Sequence, residues 1–132
     1  MICIICLDQM NGMIFNHRRQ SQDRCVRKDI LDMVGSDRLY MTAYSYKQFE
    51  EKRKNIIVSE NAFNEADRGE YCFIEEHIFD ESKIEKLIVY RWDKIYPRDY
   101  RFEFMHWRLI DLSEFQGYSH EKIAKEVYIK NV

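Results

Sequence analysis

The densest group of hydrogen-bonding side chains in the sequence forms one polar run between two apolar segments. Guanidinium groups bind phosphate or carboxylate through paired hydrogen bonds, and amides and hydroxyls add donors and acceptors beside them. Such a loop can bind a phosphate, a nucleotide or a carboxylate-bearing partner, although a solvated loop is the simpler alternative. The predicted ligand-binding residues are Arg18, Arg19, Gln20, Ser21 and Gln22.

Asp23 closes this run and is the candidate catalytic residue. Its carboxylate could serve as a general acid or base, or it could pair with the adjacent N–H groups of an amide-like heterocycle. Helical spacing begins directly after it, so Asp23 is also predicted to cap the N-terminus of a helix. The two roles are compatible, and both stay open.

An apolar run over Ile2–Leu7 leads towards the polar loop through an Asn11-Gly12 turn. A buried strand that ends in a charged loop is where α/β proteins commonly bind their ligands. We therefore expect the turn to shape the floor of a pocket, with Asn11 as a further ligand-binding residue.

Signals for a metal centre or a nucleophilic enzyme are weak. The histidines show none of the paired spacings that metal sites use, so no metal is expected. Cys3 and Cys6 have CxxC spacing, but residues three apart in a strand point to opposite faces, which favours buried thiols. Ser119 and His120 are neighbours in a polar turn, and their diverging side chains argue against a catalytic pair. No Walker loop, GxSxG or GxGxxG motif occurs.

The composition predicts one domain over residues 1–132, with 45% hydrophobic and 14% aromatic residues to form its core. The formal net charge of −2 argues against a generally basic nucleic-acid binder. No apolar stretch approaches the roughly 20 residues of a membrane span, and no basic segment precedes the first apolar run as in a signal peptide. We therefore expect a cytoplasmic protein without a membrane segment.

The residue pattern predicts strand and helix in alternation in the first half and almost only strands in the second half. Predicted strands cover residues 2–7, 38–41, 55–59, 71–74, 84–92, a segment around 107–110, and 123–129. One helix follows Asp23 and ends at Gly35, a short helix spans residues 46–52 with Ser45 as its N-cap, and residues 9–22 are predicted as loop. The fold class is therefore α/β, a three-layer αβα arrangement around a mixed, mostly parallel sheet with an antiparallel edge hairpin.

The order of these elements resembles that of the dihydrofolate reductase family. At residue level the resemblance rests on Asn11-Gly12-Met13-Ile14, Asp23, Leu39-Tyr40-Met41, Ser45-Tyr46-Lys47-Gln48-Phe49, Asn55-Ile56-Ile57-Val58-Ser59, Tyr96-Pro97 and Trp107. It implies a dihydrofolate-reductase-like fold, with Asp23 in the position of the family's substrate-binding acid. If a cofactor is bound, it implies Ser45 and Ser59 as contacts to NADPH.

The sequence departs from the family where the cofactor phosphates bind. Thr42 and Ala43 replace a Gly-Arg pair, Glu60 replaces a basic residue, and Glu75-Glu76 replaces a Gly-Gly pair. Carboxylates beside a pyrophosphate would cost several kcal/mol through like-charge repulsion. We therefore expect that the fold is kept, that no cofactor is bound, and that classical NADPH-dependent dihydrofolate reduction is absent.

Blocks of the form FNxRRQSQDR and SHEKI.KEVY also make the chain similar to short bacterial proteins of clostridial type with this fold, which implies no activity. Three functions stay open. The first is binding of a small molecule or a protein partner at the Arg18–Asp23 pocket, with a homodimer left open. The second is an NAD(P)H-dependent reductase of a pterin- or flavin-like substrate, anchored by Asp23. The third is a nucleotide- or RNA-binding protein that uses Arg18, Arg19, Arg24 and Arg27.

Overall fold

The computed structural model describes residues 1–131, and two sheets organise them. In chain order the elements are β1 (Ile2–Leu7), β2 (Gly12–Phe15), β3 (Arg18–Arg19), α1 (Arg24–Val34), β4 (Leu39–Met41), α2 (Ala43–Tyr46), β5 (Ile56–Val58), α3 (Ala62–Glu65), β6 (Tyr71–Phe73), β7 (Lys86–Arg91), β8 (Tyr100–Arg101), β9 (Trp107–Phe115) and β10 (Ile123–Lys130).

The main sheet has seven strands in the order β5-β4-β6-β1-β7-β10-β9. The five strands from β5 to β7 run parallel, whereas β10 pairs antiparallel with both β7 and β9. A smaller sheet has the order β3-β2-β8. The predicted α/β class is confirmed, with a mixed, mostly parallel sheet and an antiparallel hairpin at one edge.

The central strand β1 supplies side chains to a core on each face of the sheet. Cys3, Ile5 and Leu7 join one apolar cluster, and Ile4 joins the other. Cys6 packs against the second cluster, so the two cysteines of the CxxC pair point to opposite faces as predicted. All four cysteines are free thiols. Burial on both faces explains why β1 is apolar throughout rather than alternating.

Helix α1 covers one face of the main sheet through a stripe of buried residues at helical spacing, namely Val26, Ile30, Leu31 and Val34. Its predicted ends are confirmed: Asp23 is the N-cap, and Gly35 is the C-cap with a φ of 59°. The opposite face is covered by the one-turn helix α3 together with the small sheet and its flanking loops. Long helices therefore form only one of the two outer layers.

Three boundaries differ from the sequence prediction. Residues 9–22, predicted as loop, contain β2 and β3, because β2 pairs with the distant β8. The predicted helix over residues 46–52 is instead α2, whose N-cap is Thr42 rather than Ser45. The strand predicted from residue 84 begins at Lys86. The last strand is confirmed as β10, and β9 extends well beyond the predicted 107–110 segment.

Candidate functional site

A cleft of about 830 Å³ lies where three neighbouring parallel strands end. Thr42 follows β4, Glu60 lies just beyond β5, and Ile74 follows β6. Parallel strands of one sheet end at the same edge, so residues distant in sequence meet there, and ligands of open α/β sheets bind at this edge. The apolar part of the lining is Ile14, Phe63, Phe73, Ile74, Ile78 and Phe79.

Carboxylates dominate the charged part of this lining. Glu60 accepts a hydrogen bond from the Ala43 backbone N–H at 2.9 Å, and Asp99 accepts one from Asn16 N–H at 2.8 Å. Within residues 1–131, no lysine or arginine is among the residues that line the cleft. The five acids are Glu60, Glu75, Glu76, Asp80 and Asp99.

The carboxylate of Glu75 is neutralised by Arg19, which approaches from outside the cleft. Arg19 Nε lies 2.8 Å from Glu75 Oε2, and the side chains are 18% and 6% exposed, respectively. Ser45 Oγ and Gln48 Nε2 donate to Glu75 Oε1 at 2.8 Å and 2.9 Å. The Arg19 guanidinium also lies 4.2 Å from the centre of the Tyr44 ring. Glu75 is thus fully engaged, and the uncompensated negative charge of the cleft comes from the other acids.

The charge of Glu60 acts on Glu76, and both residues line the cleft. Partial burial, and then the negative charge of Glu60, raise the pKa of Glu76 above its ordinary value. A cation between the two carboxylates would relieve this repulsion and would favour the ionised form of Glu76. The electrostatics of the cleft therefore disfavour anions and favour cations.

An aromatic stack borders the acidic surface. The His77 ring stacks on Phe79 with centroids 4.1 Å apart and on Tyr100 with centroids 4.0 Å apart. Phe79 is 88% exposed, which is unusual for so large an apolar side chain. Aromatic faces next to carboxylates are suited to organic cations, which gain attraction from both.

Asp23 lies outside this cleft and is saturated with hydrogen bonds. Its Oδ1 accepts from the backbone N–H groups of Cys25 and Tyr118 at 2.8 Å and 2.9 Å. Its Oδ2 accepts from Ser119 N–H and lies 2.9 Å from His120 Nδ1. Burial alone would raise the pKa of Asp23, but the hydrogen bonds from His120 and from the three backbone N–H groups outweigh it and hold that pKa well below its ordinary value.

His120 is a functional candidate that the sequence pattern argued against. Its side chain is 4% exposed and stacks on Trp92 with ring centroids 4.5 Å apart. Its Nε2 lies 2.9 Å from Ser21 Oγ and 3.2 Å from the Tyr96 hydroxyl. Its distant partners come from residues 21–23 and 92–96, which no local signal reveals. Ser119 Oγ also lies 3.2 Å from His120 Nδ1, so the prediction that these two side chains diverge is wrong.

The other predicted site residues have contacts within the protein. Asn11 Oδ1 accepts from Arg91, and Gln20 Nε2 donates to Asp8 at 2.9 Å. Gln22 Oε1 accepts from Arg27, and Ser59 Oγ donates to Glu65. The residues from Arg18 to Asp23 do not line the cleft, although Arg19 contacts Glu75 and Tyr44, which do. Their role as ligand contacts stays a prediction.

Three of the four arginines that were predicted to bind a nucleotide or RNA already contact other side chains of the protein. Arg19 is paired with Glu75, Arg24 lies 4.3 Å from the centre of the Tyr118 ring, and Arg27 donates to Gln22. In the part of the chain that the structure describes, no three His, Cys, Asp or Glu residues are grouped to hold a metal ion. None of the helices in residues 1–131 is long and apolar enough to cross a membrane.

Comparison with known proteins supports the fold and nothing finer. No family model and no curated protein matches the sequence. Among solved structures, the chain is similar to a dihydrofolate reductase from Enterococcus faecalis, a structure determined in complex with NADP(H) and RAB-propyl. The TM-score is 0.64 at 11% sequence identity, and the match covers 99% of this chain and 96% of that chain. The chain therefore has a dihydrofolate-reductase-like fold.

Proposed function

We propose that this protein binds a cationic, amine-bearing small molecule in the cleft at the ends of β4, β5 and β6, and that it does not carry out NADPH-dependent dihydrofolate reduction. The observation that carries the proposal is the composition of the cleft lining, which combines acids and aromatic rings. Of the residues from 1 to 131 that line the cleft, none is a lysine or an arginine. A cleft of about 830 Å³ is within the usual size of a small-molecule site.

The same lining does not fit a dinucleotide phosphate. Glu76 and Glu60 would face a group that carries several negative charges. At an effective dielectric constant of 20, each pair of like charges 4 Å apart costs about 4 kcal/mol. NADP(H) in the Enterococcus faecalis structure is thus a property of that protein.

In this proposal the predicted Arg18–Asp23 site does not contact the ligand but supports the wall of the cleft. Arg19 holds the carboxylate of Glu75 and the ring of Tyr44, both of which form the wall of the cleft. The ligand itself would contact the unpaired acids and the aromatic stack. Among the three functions considered from the sequence, small-molecule binding is therefore favoured, with its centre shifted from the loop to the adjacent cleft.

The test is a comparison of two ligands that share a ring but differ in charge. Phenethylamine should raise the melting temperature of the protein, whereas phenylacetate at the same concentration should not. At ten times its Kd, a ligand stabilises the folded state by about 1.4 kcal/mol, which corresponds to roughly 5 °C for a domain of this size. NADPH and folate are included to test the reductase alternative, and a single-stranded RNA oligonucleotide tests the nucleic-acid alternative.

The matched variants carry the same change of net charge. Glu60→Gln/Glu76→Gln should abolish the stabilisation by phenethylamine, whereas Glu50→Gln/Glu121→Gln alters two exposed acids outside the cleft and should preserve it. Equal stabilisation by phenylacetate, or an amine effect that survives in the Glu60/Glu76 variant, contradicts the proposal. A larger shift with NADPH would support the reductase alternative instead.

A further inference from the structure

Ser21, His120 and Asp23 form a hydrogen-bonded chain in the order that activates a serine nucleophile. Ser21 Oγ lies 2.9 Å from His120 Nε2, and His120 Nδ1 lies 2.9 Å from Asp23 Oδ2. Such a constellation is recognised by the geometry and roles of its members rather than by their order in the sequence. The three residues are brought together by the loop before α1 and the turn between β9 and β10.

Asp23 fixes the histidine in the tautomer that this chemistry requires. Its carboxylate is buried and held ionised by backbone N–H donors, so it accepts a hydrogen bond from a protonated Nδ1 of His120. The lone pair of Nε2 then faces Ser21 Oγ, with the Tyr96 hydroxyl 3.2 Å from the same nitrogen. Stacking on Trp92 holds the plane of the imidazole ring. Asp23 is thus a positioning residue that acts through His120.

Of the three residues Ser21, His120 and Asp23, Ser21 alone has solvent access. It is half-buried, whereas the side chains of His120 and Asp23 are 4% and 0% exposed. The backbone N–H of the next residue, Gln22, has no hydrogen-bond acceptor among residues 1–131. The N–H after the nucleophile is a donor that hydrolases use to stabilise the oxyanion of an acyl-transfer intermediate. Arg24 and Arg27 lie on the first turn of α1 beside Gln22, which favours a negatively charged substrate.

We propose that Ser21 is a nucleophile towards carboxylic esters that bear an anionic group, with His120 as general base. The Ser21 hydroxyl oxygen bonds to the ester carbonyl carbon while its proton passes to His120 Nε2. The ester C–O bond then breaks, and His120 returns the proton to the leaving oxygen, which departs as an alcohol. Water attacks the acyl group in the same way, so that the carboxylic acid is released and Ser21 is restored.

This activity is independent of the amine-binding cleft. Ser21 and His120 do not line the cleft. Phenethylamine should therefore leave the reactivity of Ser21 unchanged, and either proposal can fail while the other stands. The reaction needs no group beyond the ester and water.

The test is covalent labelling with a fluorophosphonate, in which the Ser21 Oγ–P bond forms as the P–F bond breaks. Intact-mass measurement and peptide mapping should find one phosphonyl group, on Ser21. Ser21→Ala should lose the label, whereas Ser36→Ala, which alters an exposed serine after α1, should keep it. Circular dichroism verifies that both variants are folded.

Two further measurements separate the chemical role from a structural one. Asp23→Asn should slow the labelling at least tenfold at neutral pH, with part of the rate regained in alkali, because the asparagine favours the wrong histidine tautomer. Mono-p-nitrophenyl succinate should be hydrolysed faster than the neutral p-nitrophenyl butyrate. A folded wild type that takes no label, a label on another residue, or labelling of Asp23→Asn at the wild-type rate overturns the proposal. Equal rates for the two esters refute the anionic substrate class.

Discussion

Replacing Asp23 by asparagine tests whether this carboxylate is the main tie between α1 and the β9–β10 turn. The side chain accepts from Cys25 at the start of the helix and from Tyr118, Ser119 and His120 in the turn. Asparagine keeps one acceptor oxygen and turns an NH₂ group towards donors. We therefore expect the substitution to remove the negative charge and some of these hydrogen bonds from a buried site, while the size and shape of the side chain hardly change.

The magnitude follows from the contacts that are lost. A hydrogen bond to a charged group contributes about 1.5–3 kcal/mol, and Asp23→Asn removes the negative charge and the acceptor oxygen that serve Ser119 and His120. The oxygen that remains can keep the cap at Cys25, which places the expected loss at about 3 kcal/mol. An N-cap alone would account for only about 1 kcal/mol.

The pH dependence has a definite sign. The pKa of Asp23 is lowered in the folded protein, whereas in the unfolded chain it is about 3.9. The contribution to stability is therefore fully present above about pH 4 and is lost as the pH falls through the native value. The difference between wild type and Asp23→Asn should be greatest at pH 7 and should shrink below about pH 4.

Urea denaturation followed by tryptophan fluorescence measures this difference, because Trp92 stacks on His120 and reports on the same site. Asp32→Asn is the matched control, since Asp32 lies on the exposed side of α1 and pairs with the exposed Lys28. That variant should unfold near the wild-type midpoint. A loss of less than about 1 kcal/mol for Asp23→Asn at pH 7, or a loss independent of pH, refutes the reasoning and reduces Asp23 to a helix cap.

Three further variants test the packing and the cleft. Gly117→Ala should cost about 1–3 kcal/mol in thermal denaturation, because its Cβ would lie 2.7 Å from a carboxylate oxygen of the α1 N-cap; wild-type stability would contradict the close approach. Arg19→Ala should cost about 2 kcal/mol by leaving Glu75 without its cation, and an unchanged urea midpoint would argue against that pairing. Glu76→Gln should raise the melting temperature at pH 7 and not at pH 4. The reason is that the raised pKa of Glu76 makes its ionised form unfavourable in the folded protein, so removing the charge stabilises the fold at pH 7 but not where Glu76 is already protonated. A gain in melting temperature that persists at pH 4 would exclude this cause.

The elements that local pattern alone determines could be predicted from the sequence. Helix α1 has its apolar stripe, a capping carboxylate at Asp23 and a glycine at Gly35 within one short segment. Strand β1 is apolar because both faces of a central parallel strand are buried. These elements carry their determinants within themselves, and their prediction is confirmed.

Prediction was wrong where a distant partner decides the structure. The helix begins at Ala43, so Thr42 caps it by accepting from Ser45 N–H, while the Ser45 hydroxyl donates to Glu75 at another strand end. Strand β2 forms because β8 pairs with it from far along the chain. His120 is buried for the same reason, since its partners Asp23 and Trp92 are remote in sequence.

The position of β1 in the sheet has a consequence for synthesis of the chain. Its Ile2 is paired with Tyr71 on one side and with Lys86 on the other. On the ribosome, the edge of this wholly apolar strand that pairs with β6 stays open until residues 71–73 have been added, and the edge that pairs with β7 stays open until residues 86–91 follow. Loop closure over such separations is slow, and an open apolar strand is prone to associate with other chains. The strand at the centre of the finished molecule is thus exposed to other chains for much of its synthesis.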